Sequence, residues 1–382
     1  MTRPLAGPQT LLRAINGRAI LETLAGDGPQ TRTDLMAATG LSRTAVSQVL
    51  RMLESAGAVA PAGVDRGARG PAAGRVALNP ALGTAAGVHI DHHSVHIALV
   101  DATGALRAER HGELPARDDN ATRVARIGAL IDECRATANG PLHLAVVGVP
   151  GIVSSEGTIR NEQGPDGGAF RATLAERLGC AVRVENDVNL AALAEQDHGV
   201  GADLSSFALL LLDDGLGAGI VIDGALHRGF SGVAGEVTYV PQSPLPLGAP
   251  VLNDQVYADL ALVNGRDQEQ PILGHLEAAA AGDAGARAMA DEIGRRLTVV
   301  AATVGLVLDP EAFVLSGLAT HPVLVDAVQR VADQYAPRLP LRFEVSGFGP
   351  EAPLLGAIGE AASALRATLF TRLLAPVDRS TH

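Results

Sequence analysis

Thr31-Arg32-Thr33-Asp34-Leu35-Met36-Ala37-Ala38-Thr39-Gly40-Leu41-Ser42-Arg43-Thr44-Ala45-Val46-Ser47-Gln48-Val49-Leu50-Arg51 decides how the amino-terminal end folds. The Thr31 hydroxyl can accept a backbone N–H near Asp34, and this spacing of hydroxyl and acid marks a helix start. That helix carries Leu35 and Met36 and stops at Gly40, which enters the left-handed region without a Cβ clash. Ser42 then caps a second helix, in which Val46, Leu50 and Leu53 share one buried face. Upstream, Leu11, Leu12, Ile15, Ile20, Leu21 and Leu24 form an apolar stripe on a further helix, which the breaker run Gly26-Asp27-Gly28-Pro29 ends. Helix, glycine-containing turn, helix is the helix-turn-helix layout. Its second helix turns Arg43, Thr44, Ser47, Gln48 and Arg51 outward. Gln can read adenine, Arg can read guanine or hold phosphate, and Ser and Thr serve either. A solvated polar face on a plain three-helix bundle would read the same way.

The next segment favours DNA. Ala58-Val59-Ala60 and Val76-Ala77-Leu78 read as two short strands around a glycine-rich loop, Pro61–Arg75, that holds Arg66, Arg69 and Arg75. A basic hairpin after a helix-turn-helix is a winged helix, whose wing arginines enter the minor groove or grip phosphates. The bland alternative is a linker that happens to contain Arg. Charge is divided accordingly. Residues 1–80 carry nine Arg against five acids, a net of +4, while the remaining 302 carry 21 Arg against 37 acids, a net of −16. Only the amino-terminal end suits a polyanion.

All 30 basic residues are Arg, which excludes Schiff-base lysines and a Walker-type phosphate loop. Two cysteines, Cys134 and Cys180, exclude a disulfide framework and a cysteine-built zinc cage. No apolar run reaches the roughly 18 residues of a membrane span, so a cytoplasmic protein without membrane contact is expected. With 382 residues, 47% of them apolar, the chain divides into more than one domain: 1–80 for the DNA-binding head and 81–382 for the body.

The body alternates strands and helices. Gly87–Ile90 and Val95–Val100 read as strands joined by Asp91-His92-His93-Ser94, followed by strands Leu142–Val149 and Val182–Val184, then a helix from about Val188 to Glu195. Phe207–Leu212 and Ala218–Ile222 are strands, Asp223-Gly224 is a hairpin turn, and a long helix of about Asp283–Leu306 leads to the strand Phe313–Leu315 and a last helix after Pro353. The pattern is α/β with mixed sheets. Five motifs in order carry a resemblance: Val147-Gly148-Val149-Pro150-Gly151; Glu185-Asn186-Asp187-Val188-Asn189-Leu190-Ala191-Ala192; Gly217 to Gly224 followed by Gly235-Glu236; Asp309-Pro310-Glu311; and Leu354-Leu355-Gly356-Ala357. In this order they resemble the ROK family of repressors and sugar kinases, over nearly the whole chain. The resemblance implies a two-lobed, actin-like (ribonuclease-H-like, ASKHA) body of two α/β lobes, its C-terminal helix packing back on the first lobe, behind a winged helix-turn-helix like that of the family's repressor branch.

The resemblance also implies roles. Asp187 matches the kinase general base, which takes a proton from a sugar hydroxyl as that oxygen attacks phosphorus. Asn186 and Glu236 match positions that bond sugar hydroxyls. The plain alternative for Asp187 is an N-cap on the helix beginning at Val188. Three phosphate loops depart from the family: Asp91-His92-His93-Ser94-Val95 replaces Asp-x-Gly-Gly-Thr, Asp213-Asp214-Gly215 replaces Gly-Thr-Gly, and Ser316-Gly317-Leu318 replaces Gly-Gly-Gly. β-Carbons, a lost hydroxyl and two carboxylates all act against a triphosphate. Tyr239 stands where the family has a zinc- and sugar-binding His, and Pro241–Asp259 holds no Cys, with Gln255 near the expected Glu. No zinc and no cofactor is expected, and Asn186, Asp187, Glu236 and Tyr239 are expected to line a ligand pocket. His89, His92, His93 and His96 could in principle take a metal, but alternating strand and turn positions favour ordinary residues. The expected protein is a sugar-responsive DNA-binding regulator, a repressor without kinase activity, acting on a double-stranded operator as a homodimer or homotetramer. An active sugar kinase with a fused DNA-binding domain is the alternative. A body that only holds copies together is a third reading.

Overall fold

The computed structural model describes residues 8–65, 73–91, 93–114, 119–154, 156–160, 167–213, 215–240, 272–336 and 338–375. The head runs α1 (Pro8–Gly26), β1 (Gln30–Thr31), α2 (Arg32–Thr39), α3 (Arg43–Ser55), β2 (Val59–Asp65) and β3 (Ala73–Leu78). The start of α2 is a full capping box: Asp34 N donates to the Thr31 hydroxyl at 3.2 Å and Thr31 N donates to the Asp34 carboxylate at 2.9 Å. Gly40 adopts φ 69°, and the Ser42 hydroxyl accepts from Ala45 N at 3.3 Å to open α3. Thr31→Ala is therefore expected to cost about 1 kcal/mol, read as a lowered urea midpoint; an unchanged midpoint would mean the box contributes nothing.

The head's sheet has the order β1-β3-β2, completing a winged helix. β1 escaped the sequence reading because two residues carry no period. The apolar stripe lies within α1, but only part of it is buried. Ile20, Leu21 and Leu24 are buried, but Leu11, Leu12 and Ile15 are 65%, 55% and 55% exposed. Spacing shows which residues share a face, not how much of that face meets a neighbour.

The first lobe holds β4 (Thr84–Ile90), β5 (Ser94–Asp101), β6 (Leu106–Glu113), α4 (Asn120–Arg135), β7 (Leu142–Val149), the hairpin β8 (Ile152–Val153) and β9 (Ile159–Arg160), α5 (Gly167–Leu178) and β10 (Ala181–Asn186). Its sheet order is β10-β7-β4-β5-β6, antiparallel through β4, β5 and β6 and parallel through β7 and β10. After α6 (Asp187–His198) the second lobe repeats the plan. It comprises β11 (Phe207–Leu212), β12 (Leu216–Ile222), β13 (Ala225–Leu226), α7 (Ile272–Ala280), α8 (Ala284–Leu308), β14 (Ala312–Gly317), α9 (Pro322–Tyr335) and β15 (Phe343–Val345), with sheet order β13-β12-β11-β14-β15. The chain ends in α10 (Ala352–Leu374). Two such mixed sheets in tandem are the actin-like body. No helix among the described residues is long and apolar enough to cross a membrane.

α6 lies between the sheets. Its Leu190 joins the core under the first sheet, while Val188, Ala191 and Ala192 pack with Phe207, Leu209 and Val221 of the second. Its buried residues fall on most faces of the helix and include the polar Asn189 and Glu195, so no single apolar stripe marks it. α10 crosses α6 closely: a Cβ at Gly356 would stand 1.9 Å from the Leu190 carbonyl oxygen. It also lies against β4, where a Cβ at Gly87 would meet Ile358 N at 2.8 Å. Its far end enters the head. Leu369 and Phe370 share one core cluster with Ile20, Leu21, Leu24 and Leu50, and a Cβ at Gly17 would meet Leu374 at 2.4 Å. Head and first lobe thus share a continuous hydrophobic core.

Candidate functional site

The candidate site is built around the start of α6, the helix that joins the two lobes. Asn186, not Asp187, is the N-cap: its Oδ1 accepts from Asn189 N at 3.0 Å, and its Nδ2 donates to the Gly151 carbonyl at 3.0 Å. The cap expected at Asp187 was one residue out because Asn and Asp are both favoured there. The Asn186 bond also ties the Pro150-Gly151 turn to α6. Glu185 stands behind: its Oε1 accepts from Asn186 N at 3.0 Å and from Asn189 Nδ2 at 2.9 Å. Its Oε2 pairs with Arg228 Nε at 2.6 Å, joining β10 of the first lobe to the second. Glu185 belongs to a motif that assigns it no role, and nothing local in the sequence marks Arg228.

Asp187 is the first residue of α6, its Oδ1 accepting from Val188 N at 2.8 Å. Burial raises its pKa to about 7 against the pull of backbone N–H groups, and Asp213 and Glu236 push it the same way. Burial raises Glu236 too. Glu236 follows Gly235, whose φ of 94° and whose approach to Ala218 O, 1.9 Å from an added Cβ, only glycine permits. Tyr239 ends the short 3-10 turn Val237–Tyr239 and is 49% exposed. Asp187, Asp213 and Glu236 thus bring three carboxyl groups within electrostatic reach of one another at the start of α6, while nothing in the structure ties Tyr239 to them among the described residues.

Because folding makes the Asp187 proton harder to remove, the folded chain loses stability as pH rises from about 4 through about 7. The stability gain of Asp187→Asn over the parent is expected to grow by about 1–3 kcal/mol between pH 4 and pH 8, measured by urea unfolding. A gain independent of pH would show an ordinary carboxylate.

In the first phosphate loop, Asp91 uses up the backbone donors. Its Oδ1 accepts from His93 N at 2.7 Å and from Ser94 N, and its Oδ2 accepts from the Ser94 hydroxyl at 2.7 Å. Burial alone would raise the Asp91 pKa, but these bonds outweigh it and lower it. In the second loop Asp213 N donates to Gly215 O at 2.9 Å. Ser316 is fully buried and its hydroxyl has no partner among the described residues, and Gly317 is held at φ 62° with Leu212 O 2.4 Å from an added Cβ. Asp214, His92, Arg66, Arg69 and the segment with Gln255 lie outside the described residues.

His89 and His96 face each other across β4 and β5. Burial lowers His89 to about 4, so it is neutral. His96 bonds Glu109 at 2.5 Å and lies 3.4 Å from Glu351. Among the described residues no group of three or more His, Cys, Asp or Glu is arranged to hold a metal ion. On the head, Arg43, Thr44, Gln48 and Arg51 are exposed on α3 and Ser47 is half-buried. Arg51 Nε folds back to donate to Ser47 O at 3.3 Å. Arg75 is exposed on β3.

Comparison with known proteins agrees with both parts. Residues 85–363 match the ROK family model and residues 13–60 match a winged helix-turn-helix DNA-binding model. The chain belongs to the ROK family. It is 28% identical over 242 residues to the xylose repressor of Caldicellulosiruptor bescii, an alignment covering 60% of this chain and 59% of that repressor's length. In fold it matches a ROK family transcriptional regulator homologous to the E. coli MLC protein, with a TM-score of 0.72 and 23% identity, over 95% of this chain and 99% of the other. The ROK glucokinase of Streptomyces griseus matches with a TM-score of 0.59 and 22% identity, covering 74% of this chain and 100% of its own.

Proposed function

We propose that this chain is a sugar-responsive transcriptional repressor that transfers no phosphate. Arg43, Thr44, Ser47, Gln48 and Arg51 read a duplex operator, with Arg66 and Arg69 of the wing on the backbone or minor groove. Asn186, Asp187, Glu236 and Tyr239 meet a sugar in the cleft. Head and body are best divided near residue 80, although their cores are continuous. Two copies, or four, bind paired half-sites in the cytoplasm, since one small head grips weakly and a second gains from effective concentration. The observation that carries the reading is the exposed polar face of α3 on a head whose core runs through α10 to α6. Lobe closure on a sugar moves α6. α10, crossing α6 at Gly356 and entering the head at Phe370, passes that movement on. The shift is only as large as the sugar's differential affinity for the two states.

The kinase reading has one observation in its favour. A carboxyl titrating near 7 is well placed to be a general base. Against it, Asp91 occupies the donors a phosphate would need, and Asp213 adds a negative charge beside Asp187. No ATP-dependent phosphorylation of pentoses or hexoses is expected. Steady turnover abolished by Asp187→Asn would contradict this.

A further inference from the structure

A cavity of about 440 Å³ opens at the β10 edge of the first lobe, between the β8–β9 hairpin, α5 and α10, and its walls include none of Asn186, Asp187, Glu236 and Tyr239. Three guanidinium groups line it. Arg228 is committed to Glu185. Arg171 on α5 and Arg183 on β10 are exposed and make no ion pair or side-chain hydrogen bond among the described residues. Opposite them stands Glu360 of α10, whose carboxyl burial pushes up while Arg228 and Arg183 pull it down. Ser154 adds a hydroxyl, and Glu156 adds a carboxylate at an exposed position. Arg171 and Arg183, with no ion pair or side-chain hydrogen bond among the described residues, can hold an anion, and Glu360 and Ser154 can meet hydroxyl groups.

We infer that this cavity is a second small-molecule site, for a sugar carrying a phosphate or a carboxylate, its anionic group held by Arg171 and Arg183 and its hydroxyls by Glu360 and Ser154. The volume is in the range of small-molecule sites and ample for one monosaccharide. The site adjoins the cleft through Glu185, which lines the cavity and also holds the N-cap Asn186.

Isothermal titration of the full-length protein tests this with glucose 6-phosphate, gluconate, inorganic phosphate and glucose. The two anionic sugars separate a phosphate from a carboxylate preference. At least one of them is expected to bind. Arg171→Gln and Arg183→Gln, both surface changes, should each raise its Kd by about tenfold or more, whereas Glu236→Gln should leave it within about twofold. Excess glucose should not compete. The inference is overturned if neither anionic sugar binds, if both arginine variants keep the parental Kd, or if Glu236→Gln or glucose abolishes the binding, which would place the ligand in the cleft. Inorganic phosphate binding as tightly as the sugar would overturn the role given to the hydroxyls. None of these outcomes depends on whether the head binds DNA.

Discussion

Gly356→Ala is expected to destabilise the protein by about 2 kcal/mol or more, read as a lowered urea midpoint and a reduced soluble yield. Helix propensity alone predicts the opposite sign, since alanine inside a helix is favoured over glycine by about 1 kcal/mol. The sign inverts because the new Cβ would lie 1.9 Å from the Leu190 carbonyl oxygen, 2.5 Å from its carbon and 2.9 Å from its Cα. All three are backbone atoms of α6, which the two sheets hold from either side and which cannot give way. Gly359→Ala is the control: its Cβ would meet only Asp197 Oδ2, at 3.3 Å, a side-chain end that can move. A Gly356→Ala protein as stable as the Gly359→Ala protein would remove the α6–α10 crossing and with it the proposed route from cleft to head.

Arg43→Ala combined with Arg51→Ala is expected to weaken operator binding by about 100-fold or more at fixed salt. Each arginine that meets a base edge is worth about 1–3 kcal/mol, and one that meets phosphate also lowers the salt slope. The fold is expected to survive, since both side chains are exposed and the Arg51 bond to Ser47 O is long and on the surface. Fluorescence anisotropy on duplex from the promoter of its own gene, in parallel with circular dichroism, reads both quantities. Parental affinity in the double variant would take α3 out of the interface.

What could be read in the sequence was local. Thr31 with Asp34, Gly40 and Ser42 each act within one turn of chain, so the helix-turn-helix was legible residue by residue. β6 was not, because Leu106–Glu113 is a sheet-edge strand in which charges alternate along a largely exposed face, leaving no apolar run to notice. The joint between head and body was invisible for another reason. Gly17 and Leu374 lie at opposite ends of the chain, and nothing local to either announces the other. The same holds in the cleft. Asn186, Asp187 and Glu236 were legible through their motifs, but the ion pair of Glu185 with Arg228 and the high pKa of Asp187 arise only when two lobes fold over one helix.

The most direct test of the whole account is operator affinity measured with and without neutral pentoses and hexoses, for the parent and for Glu236→Gln. The account predicts nanomolar-class binding of the parent to its own promoter, a change of about tenfold or more with at least one sugar, and loss of that change, though not of DNA binding, in Glu236→Gln. Failure to bind that promoter even at low ionic strength, or a sugar response that Glu236→Gln leaves intact, would contradict it.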